Sequence, residues 1–118
     1  MKYLISFNDG DMQFPIEDLP QVGADAHAVM KEAIDQGVWV FGGGFEDFQT
    51  FTVNASGNVS QGALQPSDVH IGGFAVVDVD SESEAIKWAA KIAKACRCTQ
   101  EVRLFLNDPQ QDEWMRRA

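Results

Sequence analysis

The sequence predicts an α+β domain of element order β-α-β-β-α-β, the ferredoxin-like arrangement in which one antiparallel sheet carries two helices on one face. Three observations predict it. Short apolar stretches with strand character recur at 2–8, 38–45, 73–80 and 101–107. Two stretches with apolar residues at helical spacing, beginning near Val22 and Ser81, lie between the first and second and between the third and fourth of them. At 118 residues the chain fits one compact domain and is too short for two ordinary ones. A single domain over 1–118 is expected, with 107–118 as a C-terminal extension.

In "KYLISFN" (2–8), Tyr3, Ile5 and Phe7 alternate with Leu4 and Ser6, a strand pattern. Gly10, Pro15 and Pro20 punctuate the loop that follows. Val22, Ala26, Val29, Met30 and Ala33 then recur at helical spacing up to Gly37, a residue suited to a helix C-terminus. "VWVFGGGF" (38–45) reads as a strand closing in glycines, and "FQTFTVN" (48–54) as an additional one, with Gly57 in a tight turn after it. The stretch 59–70 reads mostly as loop with a short strand at its start. "GFAVVDVD" (73–80) is a buried strand. Ser81 with Glu84 three residues on makes a capping box, and Ala85, Trp88, Ala89, Ile92 and Cys96 form one apolar stripe behind it. "EVRLFLN" (101–107) is the last strand of the sheet, and the remaining residues suggest a terminal turn of helix.

Composition narrows the partners. The chain is 45% apolar and 23% charged, ordinary values for a globular protein, and its net charge is −9. That charge repels phosphate backbones and anionic membranes, so neither nucleic acid nor membrane is expected as a partner. The apolar run at the N-terminus is too brief for a signal peptide, and no stretch is long enough to span a bilayer. A cytoplasmic protein is the expectation. Cys96 and Cys98 read as free thiols, and no His or Cys cluster completes a metal site around them.

The strands are apolar on both sides: Val38 and Val40 against Trp39 and Phe41, Phe74 and Val76 against Ala75 and Val77, Leu104 against Phe105. Two helices cover only one face of a sheet, and a second face of this kind exceeds the apolar patch a monomer usually shows. A second copy supplies the simplest cover. Two sheets packed face to face give a homodimeric α/β barrel.

The residues also resemble a known family. "DQGVWVFGGGF", "QGALQPSDVHIGGFAVVDVDSESEAIKWAAKIAKA" and "EVRLF" resemble the YCII-related family in its DGPF-type branch, over nearly all of 1–106. The branch's Asp-Gly-Pro-Phe tetrad is altered here to Gln61, Gly62, Ala63 and Leu64, while the distance to Gly72-Gly73-Phe74 is kept. The resemblance implies a dimeric α/β barrel and a recurring His–Asp pair, but no firm activity. Asp9 and His27 match that pair.

His27 lies within the first helix, where the plainer reading is a structural histidine at the edge of the core. Asp35 is excluded as its partner, since eight residues along a helix span about 12 Å. Asp9 ends the first strand at the end of the sheet where the first helix begins; its plainer reading is a turn-forming acid before glycine. His70 sits in the loop before the glycine pair, and its plainer reading is a solvated side chain. "FGGGF" is not a phosphate loop, because a strand rather than a helix adjoins the glycines. Arg103 points away from Leu104, toward either an intersubunit salt bridge or an anionic ligand. Trp39, Phe41, Phe74 and Phe105 read first as interface core, or as the lining of an apolar pocket.

The sequence thus predicts a homodimer that binds a small organic molecule at or near its interface, with Trp39, Arg103 and His70 as ligand contacts. It further suggests lyase- or isomerase-type proton transfer by Asp9 and His27, with neither cofactor nor metal. The alternative is a non-catalytic binding or regulatory module on the same dimeric scaffold.

Overall fold

The first strand, β1 (Lys2–Asn8), is flanked on both sides: β5 (Ile71–Asp78) and β6 (Glu101–Leu104) each pair with it in antiparallel register. β2 (Trp39–Gly44) pairs antiparallel with the far side of β5, so the sheet order is β2-β5-β1-β6. The computed structural model describes residues 1–45, 50–62 and 70–116. Between β2 and β5 a separate two-stranded hairpin is inserted, β3 (Phe51–Val53) and β4 (Val59–Gln61). The helices are α1 (Leu19–Asp35), α2 (Glu82–Cys96) and a short α3 (Pro109–Arg116), with a 3-10 turn at Ile16–Asp18 leading into α1. Setting the inserted hairpin aside, this is the ferredoxin-like order expected from the sequence.

Alternation along β1 decides where the core sits. Tyr3 lies opposite Val77, and Ile5 opposite Ala75 and Val102, so their side chains share one face. On that face Tyr3, Ile5, Ala75 and Val77 are buried with Ala33 of α1 and Ala85, Trp88 and Ala89 of α2. Ile5 and Val77 have no exposed surface, and burial of this completeness stabilises by about 1.5–3 kcal/mol per side chain. The two helices are also tied to each other. Arg97, at the end of α2, reaches Asp25 of α1 at 2.8 Å, and Lys91 of α2 pairs with Glu32 of α1.

The helix ends follow their local chemistry. Ser81 Oγ accepts the Glu84 N–H at 3.2 Å, and the Glu84 carboxylate accepts the Asp80 N–H at 3.3 Å, one residue upstream of the usual capping-box donor. α1 ends at a Gly37 of φ 75°, which glycine adopts without strain. At the end of α2, Arg97 takes the left-handed conformation itself at φ 59°. Among the described residues no helix is long and apolar enough to cross a membrane.

One irregularity moves a large side chain. A register shift between Trp39 and Phe41 inserts an extra residue in β2, so Trp39 lies opposite Val77 on the helix side while Phe41 lies opposite Val76 on the other. Regular alternation would have kept Trp39 and Phe41 on one face. Trp39 therefore departs from the sheet-interface placement that the sequence favours and packs against the helix-side core.

Candidate functional site

The glycines of "FGGG" and "GGF" make room for aromatic rings. A Cβ on Gly42 would lie 2.7 Å from both the Phe74 carbonyl oxygen and the Trp39 ring, and one on Gly73 would lie 2.7 Å from the Phe7 ring. Both rings thus lie flush on bare backbone at the end of the sheet where β2 finishes and β5 begins. Between this end of the sheet and the two helices is a cavity of about 320 Å³. Its floor is formed by Phe7, Trp39, Gly43, Gly44 and Ala75 of the sheet. Its walls are Ala26, His27, Val29 and Met30 of α1 and Ile92, Ala95 and Cys96 of α2, with Met12, Phe74 and Gln100 completing the lining.

The chemistry of this lining is narrow. Among the described residues no Lys, Arg, Asp or Glu faces the cavity. An ion entering it would find no opposite charge, and burying an unpaired ion is costly. The polar groups available are the His27 imidazole, the Gln100 amide and the Cys96 thiol. Burial pushes the Cys96 thiol up from its usual range, and Cys98 nearby is pushed up to about 11, again chiefly by burial. Both are therefore neutral thiols rather than thiolate nucleophiles at neutral pH. They are free of any disulfide, and no group of His, Cys, Asp and Glu among the described residues could hold a metal ion.

His27 is better defined. Its Nδ1 lies 2.9 Å from the carbonyl oxygen of Gly23, one turn earlier in α1. A carbonyl only accepts, so Nδ1 carries a proton, and the tautomer that this bond selects has its lone pair at Nε2. Asp9 lies elsewhere. Its backbone N–H donates to the His70 carbonyl at 2.6 Å, and its carboxylate rests against Gly72. No hydrogen bond or ion pair joins Asp9 to His27 among the described residues, and Asp9 does not line the cavity. The imidazole is thus oriented by a carbonyl where the sequence suggested a carboxylate. Asp35 pairs with Lys31 at 2.6 Å.

Of the expected ligand contacts, Trp39 meets His27 in the cavity. His70 is exposed beside Asp9 at the entry to β5. Arg103 lies opposite Leu4, on the sheet face away from the helices and the cavity. The altered tetrad is described only in part: Gln61 ends β4 and Gly62 follows at φ 100°, whereas Ala63 and Leu64 lie outside the described residues, as do Ser67 and Asp68. Sequence reasoning missed Met12 and Gln100, which come from loops that carry no periodic signal. It assigned Cys96 to the helix stripe without its cavity-facing role.

No family model matches the chain, and no curated protein matches it by sequence. Its fold is similar to a solved structure of 5-chloro-2-hydroxyhydroquinone dehydrochlorinase (TftG) from Burkholderia phenoliruptrix AC1100, in complex with 2,5-dihydroxybenzoquinone. The two share 17% identity over 92% of this chain and 97% of that chain, with a TM-score of 0.50. At that identity the likeness bears on the fold alone.

Proposed function

We propose that this chain is a YCII-related, small-molecule-binding protein whose ligand is an uncharged hydroxylated aromatic ring held in the helix-side cavity. The observation that carries the reading is the convergence of His27 and Trp39 on one apolar cavity of about 320 Å³ without charged walls. That volume is at the low end of ligand pockets, enough for one substituted six-membered ring. Trp39 and Phe7 offer faces for stacking, and Met12, Met30 and Cys96 offer polarizable sulfur. The fold neighbour's name and bound compound belong to the same ligand class, six-membered rings bearing hydroxyls.

Within this reading His27 is a general base. A ring hydroxyl gives its proton to Nε2, leaving a phenolate and an imidazolium whose Nδ1–H stays on the Gly23 carbonyl. Such a step suits a lyase or isomerase that uses neither metal nor cofactor. The functional unit is a homodimer paired through the sheet face away from the helices, with Arg103 of each copy meeting an acid of the other. The two free thiols suit the reducing cytoplasm.

A thermal-shift screen with catechol, hydroquinone and 4-nitrocatechol tests the ligand class. Saturation at 100 times Kd adds about 2.7 kcal/mol of stability, a rise of about 10 °C in Tm for a chain of this size. Ala26→Phe, which fills the cavity from α1, should abolish the rise. 4-Nitrocatechol absorbs at longer wavelength once deprotonated, so in a pH titration bound dye should make that change at lower pH than free dye in the wild type and lose the difference in His27→Gln. A screen in which no uncharged phenol raises Tm, or in which Ala26→Phe responds like the wild type, overturns the assignment.

A further inference from the structure

The hairpin β3–β4 is not absorbed by the site. It is built with care for a segment that buries nothing. At its tip Asn54 Oδ1 accepts the N–H groups of Ser56 and Asn58 at 3.0 and 2.9 Å, and Gly57 takes φ 86°. At its base the Gly62 N–H donates to the Thr50 carbonyl at 2.7 Å, and Thr52 Oγ1 donates to the Gly62 carbonyl at 2.5 Å. Yet no residue from 50 to 62 is buried. A two-stranded hairpin with no packed face is marginally stable in water.

Its two faces differ. Val53 lies opposite Val59, and Phe51 opposite Gln61, so Phe51, Val53 and Val59 share one face; Thr52 and Ser60 occupy the other. The three apolar side chains are 55%, 62% and 63% exposed. The hairpin also carries no charge: from Gln49 to Ser67 the sequence has no Asp, Glu, Lys or Arg, in a chain of net charge −9. A contact between two such acidic chains meets little like-charge repulsion where neither surface carries an acid.

The hairpin's attachment gives its reach. Thr50 follows Phe45 by five residues, a span of at most about 18 Å of extended chain. Phe45 packs at a tilt on Phe74 with ring centroids 5.8 Å apart, and Phe74 likewise on Phe41 at 6.4 Å, so these three rings form one aromatic rim where β5 meets β2, the outer strand of the sheet. The hairpin therefore springs from the rim of the uncovered sheet face.

We propose that β3–β4 is a clasp arm whose Phe51–Val53–Val59 face packs onto a second copy of this chain. The inference rests on the reading that two copies pair through their sheets, and adds that each copy's arm reaches across the rim to hold the other. Sedimentation equilibrium on Val59→Lys and Ser60→Lys, neighbours on opposite faces of the arm, separates the two ideas. Each substitution makes the chain less acidic, which by itself favours association. Val59→Lys should still raise the dimer Kd at least tenfold, and Ser60→Lys should leave it within about threefold of wild type, both with unchanged circular dichroism. A dimer indifferent to Val59→Lys, or weakened equally by both, overturns the arm's role while leaving the sheet pairing intact. A wild-type chain that remains monomeric overturns both.

Discussion

The two faces of the four-stranded sheet are built from adjacent residues of the same strands, yet they do different work. Ile5 points to the helices and is fully buried; Leu4 beside it points the other way and is half-buried. On the helix side small residues, Ala75, Ala85 and Ala89, let α2 approach, while bare glycine backbone lets Trp39 and Phe7 lie flat, which leaves the cavity at one end. On the other side Leu4, Phe74, Val76, Phe41 and Phe105 come from all four strands or the residue just after them. There Phe41 is 65% exposed. A face that is apolar and covered makes a core; in the function proposed above, the one that is apolar and uncovered is where a second copy packs.

The largest expected effect breaks the comparison at β1. Ile5→Ala should cost about 2–5 kcal/mol in chemical denaturation, by lost burial and a residual cavity. Leu4→Ala should cost the isolated chain less than about 1.5 kcal/mol and act mainly on dimer Kd. Next comes the glycine run. Gly42→Ala would press a methyl against the Phe74 carbonyl, a backbone atom that cannot swing aside, and should lower stability by about 1–3 kcal/mol. Gly43→Ala meets nothing within 4 Å and should leave Tm nearly unchanged.

Smaller effects belong to the helix layer. Ser81→Ala removes the acceptor for the Glu84 N–H and should cost about 1 kcal/mol, read from the shift in denaturation midpoint. Smallest is the tie between helices. Gln21 and Arg97 hold the Asp25 carboxyl below its usual 3.8, so the folded state binds its proton more weakly than the unfolded chain. The resulting stabilisation is present above pH 3.8 and lost as pH falls through the lower, folded value. Asp25→Asn should therefore lower Tm slightly at pH 7 and leave it equal to wild type near pH 2.

Much of this frame was legible in the residues themselves. Alternation in "KYLISFN" assigns Ile5 and Leu4 to opposite faces, the stripe from Ala85 to Cys96 gives α2 its buried side, and Ser81 with Glu84 marks its start. The cavity was less legible, for physical reasons. An extra residue between Trp39 and Phe41 reverses the face of everything before it, and no periodicity announces a bulge. Met12 and Gln100 enter through loops whose course depends on the finished fold. Asp9 follows the end of β1 and His27 lies in α1, which starts at that same end of the sheet, but the Asp9 carboxylate rests against Gly72 and the His27 ring is held by the Gly23 carbonyl, neither of which spacing encodes.

The claim that the uncovered face is shared between copies is tested most directly by light scattering on the eluting protein at tens of micromolar. A mass twice the 13.0 kDa of the chain, falling to that of a single chain in Val76→Glu, is the predicted result. A wild-type mass of one chain, or a dimer that survives Val76→Glu, would contradict the account.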